Sequence, residues 1–202
     1  MEKVYLNGSA IAPAKLVCIG RNYVEHISEL GNEIPDQMVV FNKPNSSITS
    51  VLKSGTEEPI HYEAELCFVM KNNEFVGVGL GLDLTKRESQ SRLKAKGLPW
   101  ERAKAFDGSA LFSDFVDFSN LDDLSLELSI DDVLIQQGGV ELMMYPPLVI
   151  QKELSSFMHL QDGDVLMTGT PKGVGVVNKG STFKGKVLEK GETLVEVVWI
   201  AQ

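Results

Sequence analysis

The 202-residue sequence predicts an α+β fold that is mainly β. Three observations support this class. Most apolar runs are short and alternate with a period of two, and only three segments have helical spacing. Strands and helices also do not follow one another in the regular alternation of a parallel α/β fold. The length suits one domain over residues 1–202, because single domains commonly contain about 100–200 residues.

The strands are expected where apolar runs meet turn-forming residues. Residues 4–6 lead into Asn7-Gly8, a strong signal for a tight hairpin. A second hairpin is expected over 124–137 with its turn at Asp131-Asp132, and a third over 182–200 with a break at Gly191. The other predicted strands cover 15–19, 62–70 and 76–84.

Three helices are predicted from spacing and end signals. The first covers 22–30 and ends before Gly31, and the second covers 85–96 and ends before Gly97. Thr85 and Glu88 have the spacing of a capping box at the start of the second helix. The third covers 148–157, directly after two prolines, which are tolerated in the first helical turn.

Composition narrows the possible partners. Lysine and arginine total 19 and aspartate and glutamate total 28, which gives a net charge of −9. This balance argues against nucleic acid, which requires a basic surface. No apolar run reaches the roughly 18 residues that span a membrane, and the first eight residues lack the pattern of a secretory signal. Cys18 and Cys67 lie in apolar runs, so we expect reduced core cysteines and a cytoplasmic protein.

Two glutamates and an aspartate are the most informative acidic residues. Glu63 and Glu65 lie on one face of a predicted strand, about 6.5 Å apart, opposite an apolar face. Asp83 ends a glycine-rich strand just before the second helix. Three carboxylates suit Mg²⁺ or Mn²⁺. The alternatives are a solvated strand face for the glutamates and a helix-capping role for Asp83.

Other chemistries have weaker support. No Cys/His cluster suits zinc, and the serine pairs at 46–47 and 155–156 lack the nucleophile-elbow pattern. The segment 168–175 lacks the Gly-Lys-Ser/Thr ending of a phosphate loop, which leaves a tight loop that exposes backbone amides and Thr170. His26 and Glu29 are three residues apart on a predicted helix, so they form either an acid/base pair or a surface ion pair.

Several motifs, in their order along nearly the whole chain, resemble the fumarylacetoacetate hydrolase family. Each motif is ordinary alone, but their combination is specific. They are Gly20-Arg21-Asn22-Tyr23-x-x-His26, Lys43-Pro44, Tyr62-Glu63-Ala64-Glu65-Leu66, Asp83-Leu84-Thr85-x-Arg87, Trp100-x-x-x-Lys104-x-Phe106-Asp107 and Thr168-Gly169-Thr170-Pro171-x-Gly173-Val174-Gly175. The short chain resembles the branch that contains acylpyruvases and oxaloacetate decarboxylases.

The resemblance implies a mixed β-roll with a few short helices, usually a homodimer. It implies that Glu63, Glu65 and Asp83 bind Mg²⁺ or Mn²⁺. It also implies that His26 and Glu29 form an acid/base dyad and that Lys104 is the lysine near the metal. The residues implied to contact substrate or position water are Arg21, Gln90 and Thr170.

Two segments depart from the family pattern. The usual Thr-Ala-Arg-Asp is Thr85-Lys86-Arg87-Glu88 here, which keeps the capping residues. The usual Arg-Gln before a glycine is Ile135-Gln136, in a segment far along the chain from the metal motifs. We expect this second departure to affect packing or dimer contacts rather than chemistry.

The leading hypothesis is a divalent-metal enzyme that cleaves a carbon–carbon bond in small anionic 2-oxo acids. A divalent cation and three carboxylates sum to −1, and Lys104 and Arg21 would reverse this sign locally for the substrate. The reactions are acylpyruvate hydrolysis, oxaloacetate decarboxylation or both. One alternative is a 2-hydroxyhepta-2,4-diene-1,7-dioate isomerase or 5-carboxymethyl-2-oxo-hex-3-ene-1,7-dioate decarboxylase of aromatic catabolism. Another is a non-catalytic metal-bound module, which would have no need of a dyad and a lysine.

Overall fold

The computed structural model describes residues 1–24, 36–55 and 57–202. Within them the strands, in chain order, are β1 (Val4–Leu6), β2 (Ser9–Ile11), β3 (Lys15–Gly20), β4 (Val39–Pro44), β5 (Ile60–Tyr62), β6 (Ala64–Lys71), β7 (Glu74–Asp83), β8 (Thr85–Lys86), β9 (Ala110–Phe112), β10 (Leu124–Ile130), β11 (Val133–Gly139), β12 (Val165–Met167), β13 (Gly175–Val176), β14 (Thr182–Glu189) and β15 (Glu192–Ile200). The α-helices are α1 (Arg87–Ala95), α2 (Glu101–Lys104) and α3 (Pro147–Leu154). Three 3-10 turns cover Asn45–Ser47, Leu121–Asp123 and Val140–Leu142.

The largest sheet has six strands in the order β4-β3-β12-β6-β7-β9. Its β12 is parallel to β3 and antiparallel to β6, so the sheet is mixed. A four-stranded antiparallel sheet, β11-β10-β14-β15, packs on it. The two sheets approach closely at Gly185, where a Cβ atom would lie 2.0 Å from Leu80 Cδ2. This mainly β architecture with three short α-helices in the described segments confirms the predicted α+β class.

The three predicted hairpins are confirmed. Their turn residues occupy the left-handed region of backbone conformation, with φ of 48° at Asn7, 49° at Asp131 and 52° at Lys190. Asparagine, aspartate and glycine tolerate this conformation better than other residues do. The strands of each hairpin pair antiparallel across these turns.

The central strand β6 is buried on both faces, which decides the alternative of a solvated face. Every residue from Ala64 to Met70 is buried, because β6 lies between β12 and β7 in the sheet and both of its faces are covered. Leu66 and Phe68 belong to the core between the two sheets, whereas Cys67 and Val69 belong to a second core on the opposite face. The solvated-face alternative for the glutamates is therefore wrong.

The structure corrects the start of one predicted helix. The predicted helix over 22–30 falls largely outside the described residues. The second helix begins at Arg87, and its N-cap residue Lys86 makes no side-chain capping bond, so the capping box is wrong. Its predicted end is confirmed, because Gly97 follows it with φ of 62°. The described helices include none that is long and apolar enough to cross a membrane.

Both cysteines are buried and unbonded, as predicted. Each pairs with Met167 from opposite sides, Cys18 on β3 and Cys67 on β6, so the strand β12 separates them. Burial raises the pKa of both thiols, with a further contribution from the negative charges of Asp83 and Glu65. They are therefore protonated core residues rather than nucleophiles.

Candidate active site

The three carboxylates singled out in the sequence lie together and are buried. Glu63 connects β5 to β6, Glu65 lies on β6 and Asp83 ends β7. The pairing of β6 with β7 fixes their spacing, and Asp83 N donates to Glu63 O at 2.8 Å. One oxygen of each carboxylate can be chosen so that all three atoms lie within 4.8 Å of one another. We call Glu63, Glu65 and Asp83 the carboxylate cluster.

Lys104, at the end of α2, bridges two members of the carboxylate cluster. Its Nζ donates to Glu63 Oε2 at 2.8 Å, to Asp83 Oδ2 at 2.6 Å and to Thr85 Oγ1 at 2.7 Å. Burial alone would lower the pKa of Lys104, but Asp83 and Glu63 outweigh it and raise the pKa above its usual value. The lysine is therefore a fixed positive charge at physiological pH.

Two further positively charged side chains, Lys43 and Arg87, form ion pairs with the cluster, and neither was assigned a role from the sequence. Lys43 Nζ lies 2.8 Å from Asp83 Oδ1 and also donates to Ser109 Oγ at 3.1 Å. The contact with Asp83 is an ion pair without hydrogen-bond geometry, since Oδ1 accepts no hydrogen bond within the described residues. Arg87, the first residue of α1, forms an ion pair with Glu63 Oε1. Both residues stand in the family motifs, which was the available signal.

Glu65 has a different environment. Its Oε2 accepts a hydrogen bond from Gly169 N at 2.8 Å, and within the described part of the chain no cation pairs with it. Burial, then the charges of Asp83 and Glu63, raise its pKa well above the usual value. Glu65 is therefore the member of the cluster that has no cationic partner among the described residues.

The loop that donates to Glu65 is tightly held. Gly169 has φ of 97°, and a Cβ atom there would lie 2.9 Å from Asn22 Cβ, so the position requires glycine. Asn22 Nδ2 donates to Thr168 O at 2.8 Å and to Tyr145 O at 3.0 Å. Thr168 and Thr170 are buried. The loop is tight, as expected, but the Gly169 amide bonds to the carboxylate cluster and Thr170 is buried, so neither is exposed to solvent.

Gln136 brings the atypical segment of β11 to the same place. Its Oε1 accepts from Ala64 N at 3.0 Å, and its Nε2 donates to Thr170 Oγ1 at 2.8 Å and to Pro171 O at 2.9 Å. Ala64 lies between two members of the carboxylate cluster. The expectation that this segment bears on packing rather than chemistry overlooked this contact, because sequence distance does not measure distance in the fold.

The remaining predicted residues lie beside the cluster or outside the described residues. Gln90 is buried, and its Oε1 accepts from Arg87 Nη1 at 2.9 Å. Arg21 has φ of 57°, which is unusual for a residue with a side chain. Burial, then Arg21 and Arg87, lower the pKa of Lys94, so several cations share this region. His26 and Glu29 lie outside the described residues.

The carboxylate cluster fits a hard divalent cation. All three donor groups are carboxylates, which Mg²⁺ and Mn²⁺ prefer and which zinc uses less readily than nitrogen or sulfur. The alternative is a cluster that only its lysines and arginine neutralise. The counter-charge missing at Glu65 favours a cation, because ionising a third buried acid without one is costly.

The fold and the site together define a class: a mainly β enzyme with buried carboxylate and ammonium groups at the end of a mixed sheet. The model of the family described as "Fumarylacetoacetate (FAA) hydrolase C-terminal" matches residues 15–200. The chain therefore belongs to the fumarylacetoacetate hydrolase family, and the predictions of the family and of an enzyme are confirmed.

Characterised relatives extend over most of the chain. The oxaloacetate tautomerase FAHD2, mitochondrial, of Oryza sativa subsp. japonica is 39% identical, with 87% of each chain covered. The oxaloacetate decarboxylase, mitochondrial, of Dictyostelium discoideum is 37% identical, with 84% of this chain and 87% of that protein covered. Both names agree with the predicted chemistry on 2-oxo acids.

Solved structures agree with the fold. A fumarylacetoacetate isomerase/hydrolase family structure from Oleispira antarctica has a TM-score of 0.93 and 32% identity over 100% of both chains. The fumarylpyruvate hydrolase from Pseudomonas aeruginosa, solved with Mn²⁺ and pyruvate, has a TM-score of 0.87 and 27% identity, with 99% of this chain and 95% of that chain covered. The second structure shows that a relative of this fold binds a divalent cation together with a 2-oxo acid.

Proposed function

We propose that this chain is a divalent-metal-dependent enzyme that cleaves a carbon–carbon bond in small 2-oxo acids, by oxaloacetate decarboxylation, acylpyruvate hydrolysis or both. The observation that carries the proposal is the buried carboxylate cluster crossed by Lys104 Nζ. The names of the rice and Dictyostelium relatives and the pyruvate complex of the Pseudomonas structure support it.

The charges around the cluster suit an anionic substrate. Glu63, Glu65 and Asp83 would hold Mg²⁺ or Mn²⁺, which supplies Lewis-acid stabilisation of the negative charge that develops on the 2-oxo oxygen. Lys43, Lys104 and Arg87 contribute three positive charges against the three carboxylates. The site with a divalent cation is therefore positive, although the whole chain carries −9. This adds Lys43 and Arg87 to the charge balance inferred from the sequence.

The two cleavage reactions make different demands on the chain. In oxaloacetate decarboxylation the electron pair of the C3–C4 bond stays with the pyruvate fragment as carbon dioxide leaves, and the resulting enolate later takes up a proton. The positive charge of Lys104 would help to stabilise that negative charge. In acylpyruvate hydrolysis a water molecule must also attack the distal carbonyl, which requires a base. His26, held by Glu29, is the base that the sequence predicts.

A second candidate reaction is keto–enol tautomerisation of oxaloacetate, which the name of the rice relative favours. Here a proton leaves C3 and another reaches the carbonyl oxygen, with no carbon–carbon bond broken. As in decarboxylation, negative charge develops on the 2-oxo oxygen when the enolate forms. Loss of the enol absorbance without pyruvate release would identify tautomerisation. A change in diene absorbance on a hydroxymuconate-type dioate would instead favour the isomerase or decarboxylase of aromatic catabolism.

The direct test combines substrates with one variant. The purified enzyme is assayed on oxaloacetate and acetylpyruvate with Mg²⁺, with Mn²⁺ and with a chelator. We expect turnover that the chelator abolishes. Turnover of neither substrate with either cation would overturn the proposal.

Glu65→Gln is the cleanest variant of the cluster, because the amide oxygen can still accept the Gly169 bond and no cation loses its partner among the described residues. We expect it to lose the cation-dependent rise in Tm and the activity. The cation-free variant should melt about 2–4 °C higher than the wild type if removing the charge is worth about 1 kcal/mol. Unchanged activity would show that the cluster does not bind the catalytic cation.

We also propose that residues 1–202 form one catalytic domain that works as a cytoplasmic homodimer and prefers Mg²⁺. The contacts of the site support the single domain, since they join Asn22 near the start of the chain to Thr168 near its end, and Gln136 to Pro171. The two unbonded cysteines support a reducing compartment. Comparison of activity at equal free Mg²⁺ and Mn²⁺ tests the cation.

A further inference from the structure

Gln136 is a fully enclosed amide at the junction of three parts of the site. It is 1% exposed, on a strand whose next residue, Gln137, faces solvent. It joins Ala64, which lies between Glu63 and Glu65 at the start of β6, to the loop that carries Thr170. We propose that Gln136 is a positioning residue that directs the hydroxyl proton of Thr170 toward the substrate. The inference rests on the proposed function, because it needs an anionic 2-oxo acid beside Thr170.

The orientation of the amide follows from its partners. Ala64 N–H is a donor only, so the group 3.0 Å from it must be the amide oxygen. Pro171 O is an acceptor only, so the group 2.9 Å from it must be the amide nitrogen. An inverted amide would place two acceptors and two donors against each other. The second N–H of Gln136 therefore donates to Thr170 Oγ1 at 2.8 Å.

This bond determines what Thr170 can do. A hydroxyl has one proton and two lone pairs. One lone pair accepts from Gln136, so the proton must point to another group. Among the described residues, the acceptor near this proton is Pro171 O at 3.4 Å, which is well beyond the usual O–H···O distance of about 2.5–3.0 Å. That carbonyl already accepts from Gln136.

The position of Thr170 gives the proton a use. Thr170 is 3% exposed and follows Gly169, whose N–H bonds to Glu65 of the carboxylate cluster. Because this hydroxyl has no acceptor within the usual distance among the described residues, its proton is available to a carboxylate oxygen of a substrate bound at the cluster. A hydrogen bond to a charged group contributes about 1.5–3 kcal/mol, and each factor of ten in affinity corresponds to about 1.4 kcal/mol.

The test exchanges the donor of residue 136 and keeps its acceptor. In Gln136→Glu one carboxylate oxygen can still accept from Ala64 N–H, while the other accepts the Thr170 proton and turns it away from the substrate. Burial beside other carboxylates raises the pKa of a carboxyl group at this position, but the neutral form donates its proton to Pro171 O and the same oxygen can still accept from Thr170. We expect KM for the substrate turned over by the wild type, and Kd for pyruvate with Mn²⁺ by calorimetry, to rise about 10- to 100-fold. We expect kcat to change less than about threefold, because the bond serves ground state and transition state alike.

Two comparisons separate this role from a merely structural one. Gln137→Glu, on the exposed face of the same strand, should leave KM, kcat and Kd unchanged. Thr170→Val should raise KM and Kd by the same factor as Gln136→Glu, and Thr170→Ser should restore them. In the Thr170→Val background, Gln136→Glu should add less than about threefold, because the hydroxyl that it orients is gone.

The outcomes are distinguishable. Wild-type KM and Kd in Gln136→Glu, additive effects of the two substitutions, or a fall in kcat and Tm with unchanged KM would each overturn the role of Gln136. A wild type that turns over neither oxaloacetate nor acetylpyruvate would contradict the proposed function instead, and pyruvate affinity would then test Gln136 alone. If Gln136→Glu does not fold, Gln136→Met and the two Thr170 variants provide the same comparison.

Discussion

Lys43 is one of the largest side chains that the fold encloses completely. Its ammonium group has Asp83 Oδ1 at 2.8 Å and Ser109 O and Oγ each at 3.1 Å, so the charge is both paired and hydrogen-bonded. Such a group contributes little net stability compared with an apolar residue of the same size. Its removal alone is costly, because buried Asp83 keeps only Lys104 as a counter-charge among the described residues and the acceptors of Ser109 lose their ammonium donor.

We therefore predict that Lys43→Met lowers the free energy of unfolding by about 3–5 kcal/mol when no divalent cation is present. The matched control is Lys184→Met, which removes an exposed lysine 3.5 Å from Glu196 and should cost less than about 1 kcal/mol. Urea denaturation in the presence of a chelator measures both. Equal losses of free energy in the two variants would show that the buried contacts of Lys43 stabilise the fold no more than an exposed ion pair does.

His26 separates the two cleavage reactions, and this prediction rests on the sequence. Hydrolysis needs an activated water, and general-base assistance contributes about 10²–10⁴-fold in rate. Decarboxylation needs only stabilisation of the enolate. We expect His26→Ala to reduce kcat/KM for acetylpyruvate far more than for oxaloacetate, with metal content unchanged. Equal losses on both substrates would assign His26 to substrate binding.

Some residues of the site could be found from the sequence and others could not. Glu63, Glu65 and Asp83 end strands or interrupt apolar ones, so their charges are conspicuous locally, and Lys104 stands in a motif. Gln136 is inconspicuous, because a glutamine in a strand usually faces solvent and only the pairing of β10 with β11 turns this one inward opposite Leu128. The role of Lys43 could not be predicted either, because no local pattern in the sequence indicates that a lysine will be buried.

At the level of elements, α1 depends on an acid from outside the helix. Glu58 accepts from Ser89 N at 2.7 Å and from Ser89 Oγ, so it satisfies a backbone N–H of the first turn that the helix leaves unbonded. Thr85, the expected capping residue, has its hydroxyl 2.7 Å from Lys104 Nζ instead. The start of α1 carries Arg87, so Glu58 supports the ion pair with Glu63 from a distance.

We predict that Glu58→Ala destabilises the protein by about 1 kcal/mol, a typical contribution of an N-terminal cap. Burial alone would raise the pKa of Glu58, but the two bonds from Ser89 and the nearby Arg92 and Lys86 outweigh it and lower the pKa. The contribution is therefore fully present above the unfolded pKa of about 4.3 and is lost as the pH falls through the lower folded value. The melting temperatures of the wild type and the variant should converge as the pH falls through that lower folded pKa.

Glu57→Ala is the control for this comparison, because Glu57 is exposed and adjacent. It should change the free energy of unfolding by less than about 0.5 kcal/mol at any pH. A Glu57 effect as large as that of Glu58 would indicate a general charge effect rather than a cap.

The elements that the sequence predicts well are those with local signals. The three hairpins carry their turn residues within the chain segment itself, and α1 carries its own terminating glycine. The strands β4 and β12 and the four-residue helix α2 were not predicted. β12 has three residues and is defined by its neighbours β3 and β6, which come from distant parts of the chain. The capping box failed because a tertiary partner, Lys104, competes for the Thr85 hydroxyl.

At the scale of the whole molecule, an apolar surface on and after α3 supports the proposed homodimer. Leu148 is 60% exposed and Phe157 58% exposed, and Val149 is also exposed. Contiguous exposed apolar side chains commonly mark an interface, and Leu148 and Val149 are consecutive on α3. We expect light scattering at micromolar concentration to give twice the chain mass of 22.2 kDa. A single species of the chain mass would contradict the dimer.

The place of β12 in the sheet has a consequence for the nascent chain. β3 and β6 are synthesised early, but the strand that joins them begins at Val165, which pairs with both Leu16 and Val69. At about 5–20 residues per second, the roughly 100 residues between β6 and β12 take about 5–20 s to translate. Throughout that interval two strand edges have no neighbour, and such edges invite pairing with other chains. A chain released before β12 should therefore aggregate more readily than the complete chain.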